Sequence, residues 1–204
     1  MLARKDLRLE LRARDTLPAM LLFVLAIFAV FHFALPAHSS QLAASGLLWV
    51  AIVFTALLGL GRAFVPEREQ RVLDALVLAP SDRSAIWVGK VVSTLAFLVV
   101  AELVALPAFA LFFRPVGWGT IAGVVLADLG ICAVGTLLSA MAAAGRAREL
   151  LMPLLFLPLA LPIVIGGVGA SVAGAPGKYL GFLALYDALF AVVCWGSFEF
   201  VVSE

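Results

Sequence analysis

Two acids stand inside long apolar runs of this 204-residue chain: Glu102 between Ile86 and Phe113, and Asp128 between Trp118 and Ala144. A carboxylate at the centre of a bilayer costs about 2.5 to 3.5 kcal/mol even on insertion scales, so each acid must face protein or carry a proton. No Lys or Arg lies at similar depth to pair with them. Two roles remain open. The acids line a substrate path or a proton-responsive site, or each is a protonated group hydrogen-bonded to a neighbouring helix for packing alone.

The other chemistry-bearing residues are sparse. His32 and His38 sit where the first apolar run ends. Imidazoles can ligate a metal or a haem iron, but two histidines without nearby Cys or acids make a thin constellation, and interfacial placement without ligation is expected. Cys132 and Cys194 form no C-x-x-C and read as small buried apolar residues, so neither a disulfide nor a covalent haem site is supported. No serine is accompanied by a recognisable His and acid, and no metal site is indicated. The chain also lacks G-x-x-x-x-G-K-[ST], so it has no phosphate-cradling loop for ATP. Gly166, Gly167 and Gly169 follow no strand and are read as loosening a helix. The chain is expected to be non-catalytic and to hold no prosthetic group.

The elements that must position these residues are membrane spans. A spanning helix needs roughly 20 apolar residues, and six stretches qualify: 18–35, 43–64, 86–113, 118–144, 150–171 and 179–202. A composition 64% hydrophobic and 13% charged, with mean hydropathy +1.15, excludes an ordinary soluble domain. The fold class predicted is an all-α polytopic membrane protein, with residues 18–204 as the spanning domain and 1–17 ahead of it. Twelve of the fourteen basic residues fall before the first span, between the second and third or at their facing ends (Arg62, Lys90), or between the fourth and fifth. The alternate gaps hold Arg114 and Lys178 alone. By the positive-inside rule both termini are cytoplasmic. Ser45 and Lys178 are then expected outside, Ser81 and Arg148 inside. A nucleic-acid partner is discarded, because the basic residues carry no aromatic interleaving. A cleaved signal peptide is disfavoured, since Asp6, Glu10 and Asp15 precede the first run and five more spans follow.

Residues 1–17 carry a basic stripe of Lys5, Arg8 and Arg12. Alternation of Leu7, Leu9 and Leu11 with charged residues favours a strand taken alone, but a lone strand would leave its edges unpaired, so an interfacial helix on lipid is expected. The gap from Arg62 to Pro80 has its own ends. Pro66 suits a first helical position, Glu67 and Glu69 complement the positive dipole end, and Pro80 stops the helix. Val72, Leu73, Leu76 and Val77 form one apolar stripe, with Glu67 and Arg71 paired on the solvated side. This 66–78 helix either contacts a partner or rests on headgroups. Pro153, Pro158 and Pro162 are expected to bend the fifth span and bring it against protein or a water-lined cavity. Gly119, Gly123 and Ala127 make a small-residue stripe, as do Gly177 and Gly181, permitting close helix contact within the chain or with another copy.

With this order of elements the chain resembles the membrane subunits of type-2 ABC exporters, and within them the haem exporter B subunit of cytochrome c maturation. The similar pieces are Leu7 to Arg12, Gly46 to Ala51, Arg62 through Pro80 to Gly89-Lys90, and Leu157 to Pro162. Two departures stand out: Gly61 replaces a frequent acid, and Gln70-Arg71 replaces a common Asp-Gly. The resemblance implies a permease of the bacterial inner membrane with three correlates: haem as transported species, a separate ATP-binding subunit on the cytoplasmic face, and a haem-handling W-W-D membrane partner. It makes 66–78 the coupling helix, with Glu67, Arg68, Arg71, Val72, Leu73, Leu76 and Val77 at the ATPase interface. A haem-binding residue is not identified. The competing expectations are a lipid or drug permease, and an assembly subunit that couples ATP hydrolysis to partner release without a path of its own.

Overall fold

The structure is a computed structural model and describes residues 16–36, 40–61, 83–144 and 148–203. The segment 1–15, the 66–78 helix with all its expected coupling residues, and His38 lie outside the described residues. Six helices follow in order: α1 Thr16–Ala34, α2 Gln41–Leu60, α3 Arg83–Phe112, α4 Trp118–Ala144, α5 Arg148–Val172 and α6 Gly177–Ser203. All six are long and apolar enough to cross a membrane, and among the described residues there is no strand. In hydrocarbon, backbone amides find no water, so each span satisfies its hydrogen bonds within its own helix.

The predicted spans correspond one to one with these helices, and the ends differ for chemical reasons. Ser40 caps α2, its Oγ accepting from the Ala43 amide at 3.2 Å, so the helix starts at Gln41, two residues ahead of the expected start. The same helix closes at Leu60 rather than at 64, where the Gly61 amide donates to the Leu57 carbonyl at 2.9 Å. The Gly117 carbonyl accepts from Thr120 and Ile121 to open α4, and the Pro176 carbonyl accepts from Tyr179 and Leu180 to open α6. Helix α3 runs through Pro107, and α5 through all three of its prolines.

Helix α4 is the hub, packing on α2, α3, α5 and α6, whereas α1 rests on α2 and α3. The buried residues of α1 are Thr16, Met20, Val24 and Phe28, a single ridge at four-residue spacing. Between α2, α4 and α5 sits Trp49, fully buried. Its Nε1 donates to Ser171 Oγ at 2.9 Å, and Ser171 Oγ donates in turn to the Gly167 carbonyl at 2.9 Å. Glycine makes this possible. A Cβ on Gly167 would strike the indole, and one on Gly123 would lie 3.3 Å from it.

Two sequence expectations change here, and one question left open is answered. The Gly166, Gly167 and Gly169 cluster does not interrupt α5; each glycine leaves room for a facing side chain, Leu183, Trp49 and Tyr179 respectively. The Gly119 and Gly123 stripe has its partners within the chain, since a Cβ on Gly119 would lie 2.5 Å from the Ala170 carbonyl oxygen. By contrast, Gly177 and Gly181 face open space. Ser45 is no outer marker, because it is buried in α2.

Candidate acid pair and its groove

Glu102 lies in α3 and Asp128 in α4, and the packing of these two helices brings the acids together. Both are enclosed, with Glu102 8% and Asp128 2% exposed. Their carboxyl groups come within side-chain hydrogen-bonding reach of each other. Carboxylates only accept hydrogen bonds, so such a bond contains a proton held by one of the two. Oε1 of Glu102 and Oδ1 of Asp128 are buried and have no hydrogen-bond partner.

The pair forms the polar floor of a groove of about 400 Å³ between α3 and α4. Leu95, Val99 and Leu106 share the Glu102 face at helical spacing, and Ile121, Val124 and Val125 share the Asp128 face. Val99, Leu103 and Val125 are exposed at its rim, so the groove opens towards the surface that meets lipid. Apart from the two acids its lining is apolar. That arrangement can hold an apolar body or a neighbouring helix, with the unpartnered carboxyl oxygens enclosed beneath the apolar walls. It is poorly suited to a strongly hydrated solute.

A third acid within a span escaped the sequence reading. Asp187 in α6 is partly buried, and neither carboxyl oxygen has a partner. Oδ1 approaches α4 where a Cβ on Gly130 would lie 2.5 Å away. Gly130 is two residues beyond Asp128, about 200° round the helix at 3.6 residues per turn. Asp187 therefore lies on a different flank of α4 from the pair. The signal was available in the sequence, because Asp187 interrupts an apolar span as Glu102 and Asp128 do.

The remaining candidates disperse. Cys132 and Cys194 are free and buried. His32 is at the far end of α1, exposed, with Nδ1 2.7 Å from the Phe112 carbonyl oxygen. Among the described residues no group of three or more His, Cys, Asp or Glu is placed to hold a metal ion.

Among the described residues, six helices of spanning length, α4 the hub among them, and an acid pair flooring a lipid-side groove define a multi-pass α-helical membrane protein. The chain belongs to the CcmB protein family, whose profile matches residues 1–200. It is 30% identical over 181 residues to Heme exporter protein B of Rhodobacter capsulatus, covering 86% of this chain and 83% of that protein. It is 31% identical over 203 residues to the Heme exporter protein B of Pseudomonas aeruginosa, covering 93% and 89%. The corresponding protein of Bradyrhizobium diazoefficiens is 27% identical over 198 residues, covering 95% and 87%.

Proposed function

We propose that this protein is the membrane subunit of a haem-export complex serving the biogenesis of c-type cytochromes. The observation that carries the reading is the full-length match to the CcmB family, together with relatives named Heme exporter protein B along most of the chain. The chain performs no ATP chemistry. It lacks a nucleotide loop, so work enters from a separate ATP-binding subunit on the cytoplasmic face, and a W-W-D membrane protein handles the haem. The apolar walls of the α3–α4 groove suit the flat, apolar face of such cargo. Co-purification of the complex, with its ATPase measured against added haem and added lipid, tests the reading. Stimulation by lipid and not by haem would replace it with a lipid exporter.

One observation favours a second reading. The groove at the acids is apolar elsewhere, which fits an assembly subunit that couples ATP hydrolysis to partner release without a polar path of its own.

The membrane is the bacterial inner membrane and both termini are cytoplasmic, a reading supported by the split of basic residues. Ser40 and Lys178 are exposed, so they replace Ser45 as outer markers. Single cysteines at positions 40 and 178, in a chain lacking Cys132 and Cys194, are expected to react with an impermeant maleimide from the periplasmic side. Cysteines at 81 and 148 are expected to react only after the membrane is opened. Labelling of position 81 from outside overturns this topology.

Coupling is assigned to the 66–78 helix, with Val72, Leu73, Leu76 and Val77 pressed into a cleft on the ATPase and Glu67, Arg68 and Arg71 beside them. Burial of one leucine contributes about 1.5 to 3 kcal/mol. Leu73→Asp combined with Leu76→Asp is therefore expected to reduce ATPase capture by more than tenfold, with Glu67→Gln close to wild type. Undiminished capture and ATP-dependent activity would mean that the stripe lies on lipid.

A further inference from the structure

At the end of the bundle where α1 and α3 finish and α2 begins, a pocket of about 180 Å³ is lined by His32, Leu35, Pro36, Ala44, Phe112 and Arg114, with Phe113 alongside. His32 is held there in one orientation. Its ring lies edge-on to Phe112 at 5.4 Å, to Phe113 at 6.1 Å and to Phe33 at 5.4 Å between centroids. Nδ1 is 2.7 Å from the Phe112 carbonyl oxygen. A carbonyl can only accept, so Nδ1 carries the hydrogen and Nε2 presents its lone pair. A backbone carbonyl on one ring nitrogen is the usual way in which a protein orients the other towards a metal. Arg114 adds the second element. It makes no hydrogen bond or ion pair within the described residues, and it is one of only two basic residues assigned to this face.

A lone-pair donor, a guanidinium and aromatic edges within one pocket select a ligand with three properties: a Lewis-acidic metal, a carboxylate near it, and a flat apolar body. We propose that His32 Nε2 is an axial ligand to haem iron and that Arg114 binds a haem propionate, forming an outer-face docking site for the cargo. The pocket admits the propionate edge beside Arg114, the face of the macrocycle lies over the exposed His32 at its mouth, and the remainder runs along the exposed Phe33 ring at the lipid boundary. The bond formed is a coordination bond from nitrogen to iron; water leaves the iron and no redox change is involved. This rests on the haem-export reading above and adds the side chains that receive the cargo.

Hemin titration of the full chain in lipid nanodiscs, followed by the Soret band, tests the site without requiring transport. Wild type is expected to give an imidazole-ligated spectrum. His32→Ala should weaken hemin binding at least tenfold, with the spectrum restored by free imidazole and the binding of iron-free protoporphyrin unchanged. Arg114→Gln should weaken hemin and iron-free protoporphyrin alike, and leave hemin dimethyl ester unaffected. His38→Ala is the control for the chain's other histidine and should match wild type. A wild-type spectrum from His32→Ala, loss of the signal in His38→Ala alone, or no Soret shift in wild type overturns the site. ATPase of the intact complex separates the two readings. Haem stimulation with His32→Ala unchanged discards the site and keeps the export function, whereas His32-dependent hemin binding without haem-responsive ATPase does the reverse.

Discussion

Gly167→Leu is expected to leave almost no folded protein. Its Cβ would enter the Trp49 indole, which has no exposed surface to yield. The ring cannot retreat towards α4, where a Cβ on Gly123 would already lie 3.3 Å away. Nor can it turn without losing the Nε1 hydrogen bond to Ser171. Overpacking a tight core costs about 1 to 3 kcal/mol, and a lost hydrogen bond adds about 1 kcal/mol. Fluorescence-detected size exclusion in mild detergent should show the monodisperse peak of wild type reduced to aggregate. Gly181→Leu is the matched control, because nothing lies within 4 Å of a Cβ at that position. If Gly167→Leu elutes as wild type does, the indole is not wedged between α4 and α5. Partial recovery by Trp49→Phe in the Gly167→Ala background would locate the clash at this contact.

The acid pair gives the second large effect. Asp128→Leu removes one partner of the buried carboxyl pair and leaves Glu102 within the span. The expected loss is about 1 to 3 kcal/mol, the cost of leaving a buried polar group without its partner. Glu102→Gln and Asp128→Asn each keep a hydrogen-bonding group and should fold normally. Glu102→Leu combined with Asp128→Leu should recover stability relative to Asp128→Leu alone, because no unpaired acid remains. Reversible unfolding in mixed micelles measures all four. Activity then separates the roles: fully active Gln and Asn variants confine the pair to packing, whereas folded but inactive ones assign the acids to transport. Equal stability of Asp128→Leu and wild type would mean that the two carboxyl groups do not depend on each other.

The six spans were legible because lipid accepts only long apolar helices, and hydropathy reads that directly. Their ends were less so, since Ser40 and Gly61 act through local hydrogen bonds that an apolar window averages away. Glu102 and Asp128 could be singled out one at a time, but their meeting depends on which helices are neighbours. Hydropathy carries no information about adjacency. The glycines of α5 illustrate the same limit: Gly167 reads as loosening the helix until Trp49, 118 positions earlier, is seen against it. Asp187 was overlooked although its signal matched that of the other two acids. His32 looked isolated because its partners, Phe112 and Arg114, are some 80 residues away in sequence.

The single ridge by which α1 is held has a consequence in time. Phe28 packs edge-on against Phe109 at 5.7 Å and Phe113 at 6.1 Å, so the first of the described spans to leave the ribosome finds its aromatic partners only at the far end of the third. More than half the chain must be synthesised and inserted before that contact can close. Until then α1 has only lipid, α2 or the insertion machinery against its ridge. The nascent chain thus passes through a stage with two helices in place and the outer pocket not yet built, and the arrival of Phe113 and Arg114 completes both together.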